Sequence, residues 1–126
     1  MTCCGMPNTC ERPCFHGGGA GLIVDQAVTY ISGPISASTP ERLAANKAAF
    51  YAAARELEAK GRTVLNPCEN GLDDAAPWVA HMRKDIIMLM GCDAIHMLPG
   101  WTDSRGARIE YDLAAALQMR IEGAQS

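Results

Sequence analysis

The amino-acid sequence predicts an α/β fold in three layers, in which helices cover both faces of a parallel sheet of about four strands. Short apolar runs alternate three times with longer segments that carry helix signals. This alternation is typical of parallel strands joined by crossover helices. Turn residues end the runs, as Gly33-Pro34 and Pro99-Gly100 do. The predicted architecture is Rossmann-like, of the flavodoxin-like kind.

Each predicted element has its own local signal. Val28–Ser32 is a short apolar run typical of a buried strand. Thr39 and Pro40 suit the N-cap and the first position of a helix, which an Ala-rich stretch continues to Lys60. Ser104 suits the N-cap of the third helix. The predicted elements are strands 28–32, 62–66, 93–98 and 119–122 and helices 40–60, 77–90 and 105–118.

Length and composition describe one small domain. The chain has 126 residues, of which 20% are charged, and its net charge of −3 argues against a basic surface for nucleic-acid polymers. The longest strongly apolar run, Ile86–Met90, is too short for a membrane span. Because no signal-peptide core is present, we expect a cytoplasmic protein. We divide the chain into a Cys- and Gly-rich arm, residues 1–26, and a single α/β domain, residues 27–126.

Four of the six cysteines lie in the arm. Thiolates are good zinc ligands, but one pair is adjacent and the other is separated by three residues, unlike the usual zinc spacings. Two interpretations stay open, namely a structural zinc site and a thiol-bearing extension without metal. The cysteines concerned are Cys3, Cys4, Cys10 and Cys14.

The segments that follow the predicted strands indicate where a binding site lies. In an open parallel sheet, ligands bind beyond the carboxyl ends of the strands, near the point where the strand order reverses. The three segments are 32–38, 66–74 and 99–105. We expect them to converge on one site.

Glu110 is an acid without an ordinary helical partner. Residues three and four positions away on the third helix are small or apolar, so no cation is available on that face. The carboxylate is therefore expected to point toward the sheet or the strand ends. Burial of an unpaired carboxylate is costly and usually serves a function. The alternative is an ion pair with a distant cation such as Arg55 or Arg83.

Asp85 shows the same pattern on the second helix. Its helical neighbours are His81 and three apolar residues, without Lys or Arg at helical spacing. A partly buried acid can have a raised pKa and donate a proton near neutral pH. Two carboxyl groups in different surroundings form the acid and nucleophile of retaining glycosidases. The alternative is a surface acid screened by Arg83 or Lys84, or paired with His81.

The start of the third helix is a candidate phosphate site. A helix N-terminus presents free N–H groups and a partial positive charge. Ser104 adds a hydroxyl, Arg105 adds a forked donor and Gly106 lets a ligand approach the backbone. For Ser104, plain helix capping is the alternative. Trp101 follows a strand end, where it either covers a base or packs on Trp78.

The ordered set of these motifs resembles the nucleoside 2-deoxyribosyltransferase superfamily. That superfamily includes the 2′-deoxynucleoside 5′-phosphate N-hydrolases and small phage-associated proteins of unassigned function, to which this chain is most similar. The resemblance covers about residues 28–118. The motifs are Tyr30–Pro34, Asn66-Pro67, Arg83–Asp85, Cys92–Ala94, Leu98–Trp101 and Ser104–Glu110.

The resemblance implies a reaction and a set of site residues. Glu110 is then the nucleophile on the anomeric carbon, and Asp85 orients or protonates the reacting groups. Tyr30 and Gly33 line the sugar pocket, and Ser104 binds a 5′-phosphate. The candidate substrate-binding residues together are Tyr30, Gly33, Pro34, Ile35, Asn66, Trp101, Ser104, Arg105 and Gly106.

The first hypothesis is therefore an enzyme that cleaves or transfers the N-glycosidic bond of a nucleoside or its 5′-monophosphate. It needs no cofactor, and the resemblance implies a homodimer or higher homo-oligomer, encoded by a phage and acting in its host's cytoplasm. The second hypothesis is a nucleotide-binding module without turnover. The third is a metal-binding interaction protein that uses the Cys-rich arm.

Overall fold

The computed structural model of the protein describes residues 26–125. Four strands and three α-helices alternate along this part of the chain, and short 3-10 helices lie at Pro67–Glu69 and Trp101–Asp103. The strands are β1 (Val28–Ser32), β2 (Thr63–Leu65), β3 (Ala94–Met97) and β4 (Arg120–Gly123), and the helices are α1 (Pro40–Ala59), α2 (Trp78–Met90) and α3 (Arg105–Ala116).

The strands form one parallel sheet in the order β2-β1-β3-β4. The chain moves outward from β1 to β2 and then returns across β1 to β3, so the strand order reverses between β1 and β3. Loops that leave two neighbouring strands in opposite directions create a crevice at such a point. The predicted Rossmann-like fold with three layers is confirmed.

Alternation along β1 places the two apolar layers on opposite faces of the sheet. Tyr30 packs with Leu89 of α2 and Ala107 of α3. The next residue, Ile31, packs with Phe50 of α1 and its neighbours on the other face. The sheet is thus covered by α1 on one side and by α2 and α3 on the other.

The helix starts follow the predicted capping chemistry. Thr39 accepts a hydrogen bond from the backbone N–H of Arg42 at 3.1 Å, and Ser104 accepts one from that of Ala107 at 3.3 Å. Both side chains satisfy N–H groups that a first helical turn leaves unpaired. Within residues 26–125, none of the helices combines the length and hydrophobicity that crossing a bilayer requires.

Several predicted boundaries are wrong by one or two residues. The second strand ends at Leu65 because Asn66 instead caps the following 3-10 helix, accepting a hydrogen bond from the N–H of Cys68. The third helix ends at Ala116 because Gln118 adopts a φ of 59° and the N–H of Met119 returns to the carbonyl of Ala114. The start of β2, the end of α1, the start of α2 and both ends of β3 and β4 each shift by one residue.

Gly123 is predicted to be intolerant of any side chain. Its φ is +95°, and a Cβ atom there would lie 2.4 Å from the backbone oxygen of Met97. Gly71 has a similar φ of +86° but open space around it. Gly71→Ala should therefore cost about 1–2 kcal/mol of unfolding free energy from backbone strain alone. Gly123→Ala should cost about 2–4 kcal/mol, since a steric clash is added. Urea unfolding measures both, and equal costs would contradict the clash.

Candidate functional site

A cavity of about 250 Å³ lies beyond the carboxyl end of β1, at the point where the strand order reverses. Its wall is formed by the end of β1, one side of α1, the loop after β2 and the first turns of α2 and α3. Segments 32–38 and 66–74 converge here as predicted. From segment 99–105, Ser104 reaches the cavity wall.

Glu110 is buried at the wall of the cavity, with 5% of its surface exposed. Its Oε2 accepts a hydrogen bond from the Tyr30 hydroxyl at 2.7 Å, and its Oε1 accepts one from the Ser32 hydroxyl at 2.6 Å. Among residues 26–125, no Lys or Arg forms an ion pair with it. The prediction that this carboxylate points to the strand ends is confirmed. The alternative of an ion pair with Arg55 or Arg83 is wrong.

The two hydroxyl donors are placed by strand geometry. Tyr30 and Ser32 are two residues apart on β1, so both side chains project from the face that α3 covers. The Tyr30 ring packs in the apolar layer while its hydroxyl reaches the carboxylate. Glu110 lies in the second turn of α3 and faces the same sheet surface. The carboxylate thus links α3 directly to the end of β1.

The pKa of Glu110 is raised from 4.5 to about 7. Burial is the main cause, because removal from water penalises the charged form. The hydrogen bonds from Ser32 and Tyr30 oppose this shift, whereas the charge of Asp85 adds to it. A carboxyl group with this pKa exchanges its proton near neutral pH, as general acids, bases and nucleophiles at enzyme sites do.

Asp85 is the second buried carboxyl group of the cavity, with 6% of its surface exposed. Its Oδ1 accepts a hydrogen bond from the Asn70 side-chain amide at 2.9 Å. Burial raises its pKa, while the hydrogen bond from Asn70 and the nearby His81 lower it. Its Oδ2 accepts no hydrogen bond from any residue in the described range. That oxygen remains available to a ligand.

Asn70 holds Asp85 in a small polar network. The amide nitrogen of Asn70 also lies 3.1 Å from Nδ1 of His81, and Nε2 of His81 lies 2.9 Å from the carbonyl oxygen of Asp73. Because a carbonyl can only accept, Nε2 donates to it, and in the neutral form of the imidazole Nδ1 then accepts from Asn70. The Asn70 oxygen accepts from the N–H of Leu72. Asn70 therefore uses both amide hydrogens and fixes the orientation of Asp85.

The start of α3 forms another part of the wall, through Ser104, Gly106 and Ala107. The Ser104 hydroxyl caps the helix, as the plain alternative proposed, and also lines the cavity. A Cβ atom at Gly106 would lie 2.9 Å from the sulfur of Met82. The lack of a side chain therefore lets α2 and α3 approach closely beside the two carboxyl groups.

Residues 27–122 of the chain match the model of a family described as Domain of unknown function (DUF4406). The chain belongs to this family. A search of curated proteins finds no match. The matched region contains every residue of the cavity wall described above, so the cavity is a feature of the DUF4406 domain itself.

Trp101 lies away from the cavity of the DUF4406 domain. It is buried, its ring stacks on Tyr111 with 4.5 Å between centroids, and its Nε1 donates to the carbonyl of Ala124 at 3.0 Å. The alternative that it packs on Trp78 is therefore wrong, and the side chain does not form part of the cavity wall, where a base was expected to bind. The 3-10 helix after β3 turns this side chain toward α3 and the end of β4.

Three further candidates lie near the cavity without forming its wall. Arg105 places its guanidinium over the ring of Trp78, 4.5 Å from the centroid. Asn66 caps a 3-10 helix through its Oδ1, and its buried Nδ2 has no hydrogen-bond partner between residues 26 and 125. Pro34 follows Gly33 but is not part of the wall. Of the other candidates, Tyr30, Gly33, Ile35, Ser104 and Gly106 line the cavity.

Sequence reasoning missed several residues of the site. Ser32 ends a buried strand two residues after Tyr30, and that spacing is a signal that both side chains share a face. Asn70 and His81 carry no such signal, because their contact depends on the path of the loop after β2. The same holds for Lys47 of α1 and Asp74, which form an ion pair at the cavity with N–O distances of 2.7 and 2.8 Å.

The possible zinc site of the N-terminal arm lies outside the described residues. Cys3, Cys4, Cys10 and Cys14 all lie before residue 26. Within the described residues, no group of three or more His, Cys, Asp or Glu side chains is arranged to hold a metal ion.

The two hydroxyl donors should set the pKa of Glu110. Because hydrogen bonds from Tyr30 and Ser32 stabilise the carboxylate, Tyr30→Phe and Ser32→Ala should each raise that pKa further, by about one unit. A ¹³C NMR titration of the glutamate carboxyl groups measures the change. Thr29→Val is the matched control, since it removes a hydroxyl from the opposite face of β1. An unchanged pKa in both site variants would show that the hydroxyls do not stabilise the charge.

Proposed function

We propose that this DUF4406 domain is an enzyme that breaks the N-glycosidic bond of a nucleoside or nucleoside 5′-monophosphate, by hydrolysis or by transfer to a second base. One observation carries the proposal. Glu110 is a buried carboxyl group, without a paired cation among the described residues, that faces a cavity together with a second buried carboxyl group, Asp85. Two acids in different surroundings are what a retaining glycosidic reaction needs.

In the first step an Oε atom of ionised Glu110 attacks the anomeric carbon C1′. The Glu–C1′ bond forms as the bond from C1′ to the base nitrogen breaks, and the departing base takes the bonding electrons. Asp85, protonated at this stage, gives its proton to the base. Each Glu110 oxygen accepts one hydroxyl hydrogen bond, which leaves a lone pair on each for the attack.

In the second step, water or a second base attacks C1′ and displaces Glu110. Asp85, now a carboxylate, takes the proton that the incoming group releases, which restores both acids. Ser104 and the free backbone N–H groups at the start of α3 lie at the cavity and suit the 5′-oxygen or 5′-phosphate of the substrate. Whether water or a base completes the reaction decides between hydrolase and transferase.

The cavity also contains a thiol, Cys68, as an alternative nucleophile. Burial raises its pKa from 9.0 to about 11. The thiolate is the reactive form of cysteine, and a pKa this high leaves very little of it at neutral pH. Glu110 is therefore the better nucleophile of the two.

Glu110→Gln should abolish turnover and leave the protein folded. The amide keeps the shape of the side chain and can bond to both hydroxyls, but it cannot form the glycosyl ester, so base release should fall at least about 10³-fold. The assay measures base release from 2′-deoxynucleosides and their 5′-monophosphates, with and without an acceptor base. Full activity in this variant would remove Glu110 from the mechanism.

The same variant makes a prediction about stability. Because the pKa of Glu110 is raised from 4.5 to about 7, its ionisation destabilises the fold progressively as the pH rises through this interval. Glu110→Gln should therefore become more stable than the natural protein at pH 8, by about 3 kcal/mol, and lose that advantage below about pH 4. Urea unfolding at both pH values tests this, and a constant difference would contradict it.

The pH dependence of kcat/KM should be bell-shaped, because the reaction needs one proton on the pair formed by Glu110 and Asp85. The alkaline limb should fall near pH 7, because burial and the charge of Asp85 raise the pKa of Glu110 to about 7. Asp85→Asn should be slower and should lose the alkaline limb. Its remaining acid limb should reflect a pKa of Glu110 below 7, since the charge of Asp85 no longer raises it. A bell-shaped profile in Asp85→Asn would contradict the assignment.

A further inference from the structure

Trp78, the first residue of α2, is not held in the core as the other tryptophan is. Trp101 is buried, stacked on Tyr111 and hydrogen-bonded through its Nε1. Trp78 is half-buried and lines the cavity. Its Nε1 donates to no residue in the described part of the chain, and that atom is not sealed from solvent. A large aromatic ring with an unused donor therefore stands at the cavity wall.

Arg105, the first residue of α3, holds this ring from outside. Its guanidinium carbon lies 4.5 Å from the ring centroid, and Arg105 does not itself line the cavity. A cation over an aromatic face is attracted by the electron density of the ring. Because the guanidinium covers one face, a ligand in the cavity would meet the other face or the edge of the indole. Gly106 lies beside the same ring, since a Cβ atom there would be 3.9 Å from it, an ordinary van der Waals contact.

The position of Trp78 relative to the carboxyl groups suits a flat ring next to the reacting carbon. Trp78, Met82 and Asp85 all line the cavity and share one face of α2, at the spacing of successive helical turns. Asp85 lies seven positions after Trp78, which corresponds to about 10 Å along the helix. A group bonded to a carbon at Glu110 and Asp85 can extend along this face toward the indole.

We propose that Trp78 is the stacking wall for the base of the substrate, and that Arg105 is a positioning residue that acts through Trp78. This inference rests on the proposed function, since it assigns the base-binding end of the same site. Flat heteroaromatic bases stack on indole rings whatever their sequence of donors and acceptors. The inference replaces the phosphate contact expected of Arg105 with a role in holding the aromatic wall.

Fluorescence tests the stacking directly, because the chain contains two tryptophans, Trp78 and Trp101. Thymidine and deoxyadenosine are titrated into the full-length Glu110→Gln protein, and 2-deoxyribose serves as the ligand without a base. We expect saturable quenching by both nucleosides and none by the sugar. Adding Trp78→Phe should abolish the quenching, whereas adding Trp101→Phe should preserve it. Undiminished quenching after Trp78→Phe would overturn the inference, even if Trp101→Phe fails to fold.

Kinetics distinguish stacking from a merely structural role. Trp78→Leu should raise KM for base release at least about fivefold and change kcat little, and Trp78→Phe should retain most of the affinity. An unchanged KM in Trp78→Leu would overturn the stacking wall while the proposed reaction stands. Conversely, nucleosides that quench Trp78 saturably but release no base would support the stacking role of Trp78 and contradict the proposed cleavage reaction.

A double-variant cycle tests the role of Arg105. If Arg105 acts through Trp78, Arg105→Gln should raise KM for nucleosides and monophosphates alike, and should have no further effect in Trp78→Leu. If Arg105 binds phosphate, Arg105→Gln should affect the monophosphates selectively and add to Trp78→Leu. The second pattern would overturn the positioning role.

Discussion

The hydrogen bonds that join Glu110 to Tyr30 and Ser32 connect the core of this domain to its cavity. The Tyr30 ring belongs to the apolar layer beneath α2 and α3, and its hydroxyl ends at the carboxylate. These two hydrogen bonds link the end of β1 to α3 through a polar group that is buried in a nearly dry site. Such a group costs stability, and it persists where the surrounding hydrogen bonds and a function offset that cost. Packing and chemistry here depend on the same atoms.

The fold was predictable because its signals are local. Thr39 and Ser104 have capping chemistry that is visible in sequence, and the apolar runs identify the strands. Glu110 was predictable by elimination, since no cation occurs at helical spacing around it. Gln118 was not, because a residue other than glycine in the left-handed region gives no reliable sequence signal. Local rules thus identified the elements and the main carboxyl group, and failed at helix ends.

The parts of the site that escaped prediction depend on contacts between distant segments. Asn70 meets His81 and Asp85 because the loop after β2 folds back over α2. For Trp101 and Arg105 the sequence predicted a site contact that the structure does not show. Their side-chain types suit ligand binding, but the turn before α3 directs Trp101 to Tyr111 and Arg105 to Trp78. A residue type at a strand end indicates a site only when the direction of its side chain is also known. In β1 the alternation of side chains shows which way each one points, whereas a loop has no regular spacing from which this direction can be predicted.

The surroundings of the two carboxyl groups also bear on where a shared proton lies in the proposed reaction. Burial favours the neutral form of Glu110, yet its two hydroxyl donors stabilise its charged form. Asp85 has a single amide donor and an Oδ2 that faces no donor in the described structure. A base that enters between Trp78 and Asp85 displaces water from Asp85 and raises the pKa of that group further. In the proposed reaction, binding would therefore move the proton from Glu110 to Asp85, which would produce the nucleophile and the acid together.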